Sequence, residues 1–536
     1  MFVDLIKFKK ACVLTLSVTF AFFAISTVIY YIFGPSAAYF HSDCADTILW
    51  AQASVDGKTM FNPDFGYAAL LPFGGTTVMI PLVAIFGVGM TAQHIGMAIF
   101  ALLFFASVLW LLKSMKFSTE LSLFGTGVLA LVLCSSEKMR EIFYEHVIYY
   151  SIGVVIICVL LSLYIRFTDG GKRITLKKRI ILLTAIVVFT FLSAFDGTQV
   201  AASAIFPVLF AGGCEILFSK EKLFSKTNRP AIIALAGIAA ATVAGIVILN
   251  NISEGIGIGY ASAYSNYSNM NEWTNNLLKL PQQWCELFGV DVYFGMNLFS
   301  VDSIINIIRL AASFITALVP VAALIFINKL ERPAALLVLT HFGVTGVVMF
   351  GYIFGILSLA NWRLSPIICT GVLVCVSMVK QVKISIPLSR IASIAGCVLV
   401  LFGAISVKEI KDMPKDGIRY NEYYHVAQYL ESKGLNYGFA TFWKSQTITV
   451  LSDSRVKVIN TDMNDYGITP CAFQTNANWF SEQEDVDRYF LIADIAEYVK
   501  ILNSDDAIYL TEGPVEVIEE LDGYIILVYE NTDFLK

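Results

Sequence analysis

Two aspartates that follow the first apolar segment are the clearest candidates for chemistry in this sequence. Asp43 and Asp46 lie three residues apart in FHSDCADTILW, so on a helix they would share a face, with Trp50 one turn further along. Paired carboxylates just outside a membrane span can act as a general base or hold a divalent cation. Acids also favour helix starts, so a simple helix cap remains an alternative. His41 precedes the pair and is a candidate for substrate binding.

A second acidic group occurs in SSEKMREIFYEHVIYYS. Glu141 and Glu145 lie four residues apart and share a helical face, with Arg140 and His146 beside them. These charges suit either an interfacial helix or a polar site that orients a substrate. Asp196 occupies a tight turn, SAFDGTQ. An ionisable group at membrane depth is costly and often functional, although Asp-Gly is also an ordinary turn signal.

Basic and aromatic side chains complete the set of candidates. Arg363 lies in LANWRLSP, and its planar guanidinium can bind a phosphate through two parallel hydrogen bonds. The same side chain could instead extend toward lipid headgroups. Tyr260 and Tyr264, in the polar segment 251–302, could stack on sugars or contribute to an interfacial aromatic belt.

These residues lie in a chain that is too apolar for a soluble fold. Its 536 residues are 57% hydrophobic and only 15% charged, whereas soluble domains carry about 25% charged residues. The net charge of −5 and the lack of a basic stripe argue against a nucleic-acid partner. The composition therefore predicts a multi-pass membrane protein of mainly α-helical fold.

Eleven segments can each supply the roughly 20 apolar residues that a span needs. They lie near residues 11–33, 93–112, 118–135, 148–166, 179–194, 200–217, 231–250, 303–327, 334–357, 363–379 and 389–407. The apolar stretch 76–90 is interpreted as a juxtamembrane or re-entrant helix, because counting it as a span would invert every later loop. Most basic residues then fall on the side of the N-terminus, which predicts a cytoplasmic N-terminus and a C-terminus on the opposite, outer side of the membrane.

The predicted organisation is a transmembrane domain over 1–407 and a small exoplasmic α/β domain over 408–536. The transmembrane domain carries two long outer loops, 34–92 and 251–302. In the smaller domain, periodicity predicts a helix around 420–433 and helical structure around 484–503. Strand-like runs are predicted at 437–443, 447–451, 455–459, 506–510 and 523–529.

This layout resembles the integral-membrane GT-C glycosyltransferases, which include protein O-mannosyltransferases, aminoarabinose transferases and oligosaccharyltransferases. Asp43 matches their acid in the first outer loop, and 76–90 matches a juxtamembrane helix within it. Glu145, or Glu141, matches a second acid after the third span. Residues 251–302 match a long fourth outer loop. The C-terminal domain, with GFATFWKSQTITVLSDSRVKV, resembles the tail of bacterial membrane proteins of this type. This resemblance implies a plasma membrane, with the C-terminal domain extracellular.

At two positions the sequence differs from the pattern of that superfamily. Arg363 with Pro366 resembles an Arg-aromatic-Leu-x-Pro pattern that begins a late span, with Leu364 in place of the aromatic residue. The expected acid pair is here spread over Asp43-Cys44-Ala45-Asp46, which weakens the metal hypothesis. No other cofactor is indicated, and a divalent cation at Asp43 and Asp46 is the one such hypothesis.

The resemblance implies sugar transfer, with inversion, from a polyprenyl-phosphate donor to an envelope glycan, lipid or protein on the outer face of the membrane. Asp43 would take the proton of the acceptor hydroxyl, with Glu145 and Asp46 as further catalytic candidates. Arg363, with Lys58 or Arg140, would stabilise the departing phosphate. The candidates for binding substrate are His41, His146, Asp196, Tyr260 and Tyr264.

Two alternatives belong to other functional classes. A transporter or lipid flippase would tend to show internal repeats and charges near the membrane midplane, whereas here the acids gather at one surface and no repeat is evident. A non-catalytic scaffold would need few of these spans and would tolerate changes at Asp43, Glu145 and Arg363.

Overall fold

The computed structural model describes residues 2–169, 175–256, 266–356, 359–381, 386–521 and 523–535. The chain divides into two compact units. The first, called the helical unit, comprises Met1–Tyr30, Phe100–Ile252 and Tyr264–Asp412. The second, called the mixed unit, comprises Tyr31–Ile99, Ser253–Ala263 and Met413–Lys536.

Long apolar helices dominate the sequence up to residue 412. Within the described residues, nine helices are long and apolar enough to cross a membrane. The α-helices run over Phe2–Phe33, Asp46–Gly57, Thr77–Phe86, Met90–Ser114, Thr119–Val132, Glu137–Arg140, Tyr149–Thr168, Leu176–Ala194, Thr198–Val200, Phe206–Leu217, Arg229–Ile252, Met270–Leu287, Val301–Ile325, Arg332–Phe354, Ser365–Lys380 and Ile386–Asp412. Helices suit lipid because they satisfy their backbone polar groups internally.

Ten of the eleven predicted spans each fall mainly on one of these helices, and 200–217 covers the end of Thr198–Val200, the π-helical turn Ala201–Ile205 and Phe206–Leu217. Two of the predicted spans differ from the nine long apolar helices. Thr119–Val132 has only 14 residues, and Leu176–Ala194 opens on three basic residues. The chain is a multi-pass membrane protein, as its composition predicts.

The segment 76–90 forms a short separate helix. Thr77–Phe86 has ten residues, about half the length that a span requires. Gly87 ends it with φ of +75°, a conformation that favours glycine, and the next helix begins at Met90. The prediction of a helix that does not span the membrane agrees with this geometry.

A six-stranded sheet organises the C-terminal part of the mixed unit. Its strands are β1 Tyr437–Ala440, β2 Lys457–Asn464, β3 Gly467–Pro470, β4 Tyr489–Asp494, β5 Glu516–Leu521 and β6 Tyr524–Tyr529. They lie in the order β3-β2-β1-β4-β6-β5. Strand β1 pairs in parallel with both β2 and β4, and the other pairs are antiparallel. The helices of this part are Glu422–Ser432, Phe442–Leu451, Ile495–Leu502 and Ala507–Thr511.

Both faces of the sheet are buried. Alternate residues face opposite sides of a strand, so Phe439 and Leu491 belong to one apolar cluster while Ala440 and Phe490 belong to the other. The second cluster also contains residues of the helix Glu422–Ser432. This arrangement confirms the predicted small α/β fold.

Three local predictions in this part are wrong. Residues 447–451 and 506–510 were expected to be extended, but they lie in the helices Phe442–Leu451 and Ala507–Thr511. The expected helical stretch 484–503 contains strand β4 before its helix begins at Ile495. Burial of β4 on both faces makes it a continuous apolar run without strand periodicity, and tertiary packing outweighs the strand preference of the β-branched residues in 447–451.

The first outer loop is built into the same unit as this sheet. Gly66 donates its backbone N–H to the carbonyl of Thr475 at 2.9 Å, and Gln474 returns a bond to the carbonyl of Gly66 at 2.7 Å. Asn421 donates through its side chain to the carbonyls of Ala37 and Phe40 at 3.0 and 2.9 Å. Hydrogen bonds therefore join the segment 34–92 to the C-terminal segment within one compact unit.

Gly438, in the central strand β1, tests how tightly this sheet is packed. A Cβ atom at this position would overlap the ring and the backbone carbonyl of Phe490 on β4. We expect Gly438→Ala to lower the free energy of unfolding by about 1–3 kcal/mol, the usual range for overpacking. Thermal unfolding of the purified protein measures the effect. Gly213→Ala is the matched control, because a Cβ there meets nothing within 4 Å.

Candidate functional site

The acid pair of the first outer loop lies at the start of a helix in the mixed unit. Asp43 is half-buried in the 3-10 turn Ser42–Ala45, and Asp46 begins the helix Asp46–Gly57. Ser42 fixes this turn by donating to the carbonyl of Phe442 at 2.6 Å. Within this unit no described side chain pairs with the Asp43 carboxylate, which leaves it available to a substrate.

Asp46 has a different environment from Asp43. Its side chain is buried, and its Oδ1 accepts a hydrogen bond from Nε2 of Gln474 at 2.5 Å. The same glutamine accepts a bond from the indole nitrogen of Trp50 at 2.6 Å. Gln474 thus forms hydrogen bonds with both Asp46 and Trp50, which lie one helical turn apart. The Asp46 carboxylate therefore has a hydrogen-bond partner within the fold.

Replacement of Gln474 by alanine tests this contact. The change removes both side-chain hydrogen bonds and leaves the buried Asp46 carboxylate with one donor fewer. We expect the free energy of unfolding to fall by about 1.5–3 kcal/mol, the range for hydrogen bonds to charged groups. Thermal unfolding compares this variant with Gln428→Ala, which removes an exposed glutamine from the helix Glu422–Ser432. Equal midpoints in the two variants would contradict the expectation.

His41 and Lys58 flank the acid pair along the chain. The ring of His41 lies 6.1 Å from that of Trp443, and its Nε2 is 3.7 Å from the sulfur of Cys44. Lys58 is exposed and follows the helix Asp46–Gly57 with φ of +50°. Both remain candidates, His41 for substrate binding and Lys58 for phosphate.

The described residues contain no group of three or more His, Cys, Asp or Glu side chains that could hold a metal ion. Asp43 and Asp46 would therefore be a two-carboxylate site, and an amide N–H already occupies one oxygen of Asp46. These residues alone fit a resident metal poorly. The divalent cation stays a prediction, and no chemical step is assigned to it.

The second acidic group is buried in the helical unit. Glu141–Glu145 forms a single π-helical turn after the short helix Glu137–Arg140. Glu145 and His146 are 3% and 7% exposed. Arg140 donates to the carbonyl of Cys134 at 3.0 Å, while Glu141 pairs with Lys138. This wider turn changes the shared helical face that was predicted for Glu141 and Glu145. Both acids stay candidates.

Arg363 lines a cavity of about 350 Å³ in the helical unit. It lies in the 3-10 turn Asn361–Leu364 and donates one hydrogen bond, from Nη1 to the carbonyl of Gly351 at 3.3 Å. Within this unit no described carboxylate forms an ion pair with it. The other polar side chains of the cavity come from Tyr149, Tyr150, Gln199, Ser203, Asn266 and Tyr267. A half-buried guanidinium without a carboxylate partner is suited to an anionic ligand.

Among the other residues of this cavity, the sequence pattern indicated Tyr267, as one of the aromatic residues of the segment 251–302, and it did not indicate Tyr149 or Tyr150. Tyr149 donates to the hydroxyl of Tyr150 at 3.2 Å, and both follow directly after the second acidic group. Tyr267 faces Gly355 in an isolated β-bridge. The adjacent tyrosines at 149 and 150 are a visible signal in the sequence, whereas the bridge depends on pairing across 88 positions and could not be found there.

The remaining candidates are Asp196, Tyr260 and Tyr264. Asp196 is 4% exposed and precedes Gly197, whose φ of +93° confirms a tight turn. Tyr260 and Tyr264 lie outside the described residues.

No protein-family model and no curated protein matches this sequence. Solved structures do match in fold. The apo oligosaccharyltransferase of Archaeoglobus fulgidus aligns with 94% of this chain and 73% of its own, at a TM-score of 0.50 and 10% identity. The oligosaccharyltransferase AglB of the same organism, in complex with an inhibitory peptide and a dolichol-phosphate, aligns with 97% and 74%, at 0.48 and 10%.

A third match comes from ArnT of Cupriavidus metallidurans in the apo state. It covers 97% of this chain and 98% of its own, at a TM-score of 0.46 and 11% identity. Identities this low bear on fold alone, and the alignment with the apo oligosaccharyltransferase, at a TM-score of 0.50, carries the comparison. The chain therefore shares the fold of that oligosaccharyltransferase, in agreement with the predicted resemblance to the GT-C glycosyltransferases.

Proposed function

We propose that this protein is a membrane glycosyltransferase that moves a sugar from a polyprenyl-phosphate donor to an acceptor hydroxyl. The shared fold supports the class of reaction. The cavity lined by Arg363 carries the proposal further, because a guanidinium among tyrosine and amide side chains suits a lipid phosphate. The apolar helices around this cavity offer nonpolar surroundings in which a polyprenyl chain can lie.

Asp43 is the proposed general base. The acceptor hydroxyl gives its proton to the carboxylate as its oxygen attacks the anomeric carbon of the donor. The bond between that carbon and the phosphate oxygen breaks, and the phosphate leaves with the bonding electrons. Attack from the face opposite the phosphate inverts the anomeric centre. A half-buried carboxylate without a partner in its unit can take up this proton.

Arg363 is proposed to bind the departing phosphate. Its positive charge stabilises the phosphate more strongly as the leaving oxygen gains negative charge. Lys58 and Arg140 are further phosphate candidates. Arg140 already donates to a backbone carbonyl, and Lys58 is exposed. Glu145, Asp46, His41, His146 and Asp196 are proposed to position donor or acceptor.

The charge distribution supports an orientation with the N-terminus in the cytoplasm. The C-terminal α/β part then lies outside the cell, and the acceptor is a component of the envelope, whether glycan, lipid or protein.

Transfer by purified protein in lipid nanodiscs tests the function. The assay supplies labelled polyprenyl-phosphate sugars and a crude envelope acceptor, and it measures both released polyprenyl phosphate and labelled product. Release that requires the acceptor supports the transferase. Donor that crosses the bilayer of proteoliposomes without being cleaved would instead identify a transporter. Neither release nor donor binding would leave a scaffold as the better description.

A further inference from the structure

A second cavity lies entirely within the mixed unit and has no part in the proposed chemistry. Its volume is about 300 Å³, at the lower end of the range for small-molecule sites. It lies between the helix Asp46–Gly57, the residues after Thr77–Phe86, the helix Phe442–Leu451 and strand β2. Its polar and aromatic lining includes Gln52, Asp56, Gln446, Lys457, Asn460 and Trp479.

Lys457 supplies this cavity with a cation that no described carboxylate neutralises through an ion pair. Its Nζ lies 4.1 Å from the centre of the Trp479 ring and 5.5 Å from that of Tyr437, so aromatic faces hold it in place. Burial lowers the pKa of Lys457 to about 8, against an opposing effect of the Asp56 carboxylate. A partly desolvated ammonium of this kind gains more from an anion than an exposed one does.

Two buried amide side chains, those of Gln446 and Asn460, belong to the same lining. Gln446 donates through Nε2 to the carbonyl of Gln474 at 3.1 Å, and Asn460 donates through Nδ2 to the carbonyl of Phe473 at 2.9 Å. These bonds fix which way each amide points. Their oxygens, Oε1 and Oδ1, are buried and have no hydrogen-bond partner among the described residues. Buried polar atoms in folded proteins usually have a partner, so both oxygens suit a ligand that brings hydroxyl donors.

We propose that this cavity binds an anionic saccharide, a sugar that carries a carboxylate or a phosphate group. The ammonium of Lys457 would receive the anionic group, the oxygens of Gln446 and Asn460 would accept hydroxyl hydrogens, and Trp479 would provide an apolar wall. The inference rests on the proposed function in one respect, because it identifies the saccharide as part of the acceptor.

Direct binding to the full chain in nanodiscs tests the cavity. Three probes are titrated by calorimetry: glucuronic acid, glucose 6-phosphate and glucose. We expect at least one anionic probe to bind roughly tenfold more tightly than glucose, and the better of the two identifies the anionic group. Equal affinities for all three, or no binding by any, would overturn the proposal.

Three variants separate binding from folding. Lys457→Met should weaken anion binding about tenfold or more, since it removes a charge-assisted hydrogen bond. Lys457→Arg keeps the charge and should retain most of the affinity. Lys433→Met is the matched control, because Lys433 is exposed and also lies over an aromatic ring, that of Tyr429 at 5.6 Å. Equal loss in the two methionine variants would contradict a specific site.

The pH dependence gives an independent measurement. Lys457 is charged below its pKa and neutral above it, so glucuronate binding to the unaltered protein should weaken about tenfold between pH 7 and pH 9. The Asp56 carboxylate is the other charged group that acts on it, and burial raises the pKa of Tyr437, which stays neutral. Lys457→Arg should show no such change. A profile that is flat in both proteins would refute the role of Lys457.

These experiments distinguish the cavity from the reaction. If the transfer assay fails while anion binding depends on Lys457, the transferase proposal is wrong and the binding site stands. If transfer succeeds while no anionic probe binds, the cavity proposal is wrong and the reaction is unaffected.

Discussion

Asp43→Asn is expected to reduce sugar transfer by about 10²–10⁴-fold, the usual contribution of a general base. The amide keeps the shape of the side chain but cannot take the proton of the acceptor hydroxyl. The carboxylate is half-buried and has no described partner within its unit, so the substitution should leave folding almost unchanged. Turnover of labelled donor at saturating acceptor measures the effect, and donor affinity should stay within a few-fold of the original.

Asp64→Asn provides the control for this variant. Asp64 is an exposed acid of the same outer loop, and its replacement should leave turnover unchanged. A folded Asp43→Asn protein that transfers sugar at the original rate would remove the proposed base. Loss of turnover in both variants would point to a general effect on the loop.

Arg363→Gln is expected to weaken the binding of polyprenyl phosphate by about ten- to a hundredfold, because it removes a charge-assisted contact of roughly 1.5–3 kcal/mol. The affinity for neutral polyprenol should not change, since it has no phosphate for the guanidinium to bind. Titration of both lipids into nanodisc-embedded protein measures the difference. Arg363→Lys should restore only part of the affinity, because an ammonium lacks the planar pair of donors.

Arg229→Gln controls for nonspecific attraction between lipid phosphates and surface arginines. Arg229 is exposed at the start of the helix Arg229–Ile252, and its loss should not alter phosphate binding. The proposed role of Arg363 would be wrong if both lipids lost affinity equally, because that result indicates damage to the apolar cavity wall. A shift in the unfolding midpoint would show how much the bond to the carbonyl of Gly351 contributes to stability.

The sequence predicted most helices of the transmembrane part. A span must be helical and about 20 residues long, because lipid offers no hydrogen bonds to the backbone. Hydropathy is therefore a local property that indicates these helices directly. All eleven predicted spans are mainly helical, and nine of the described helices are long and apolar enough to cross a membrane. The distribution of basic residues separated 76–90 from the spans, and the structure shows the ten-residue helix Thr77–Phe86 there.

The soluble part of the mixed unit was less predictable from sequence. Residues 447–451 have the composition of a strand but form a helix. Strand β4 lies within 484–503, for which the sequence predicts helical structure. In a sheet buried on both faces, the partners that decide each segment are distant in sequence. Local preference therefore identifies the class of this fold but not the position of each element.

The candidate site residues were also predictable from the sequence only in part. The sequence showed which residue types were present and, through hydropathy, predicted that Asp43 follows the first span and that Arg363 begins the tenth. Tertiary structure decided their surroundings: Gln474 reaches Asp46 across 428 positions, and Gln446, Lys457 and Trp479 meet Asp56 around one cavity. The reason is physical, because burial and hydrogen bonding depend on which distant segments pack together, and no local pattern of residues records that choice.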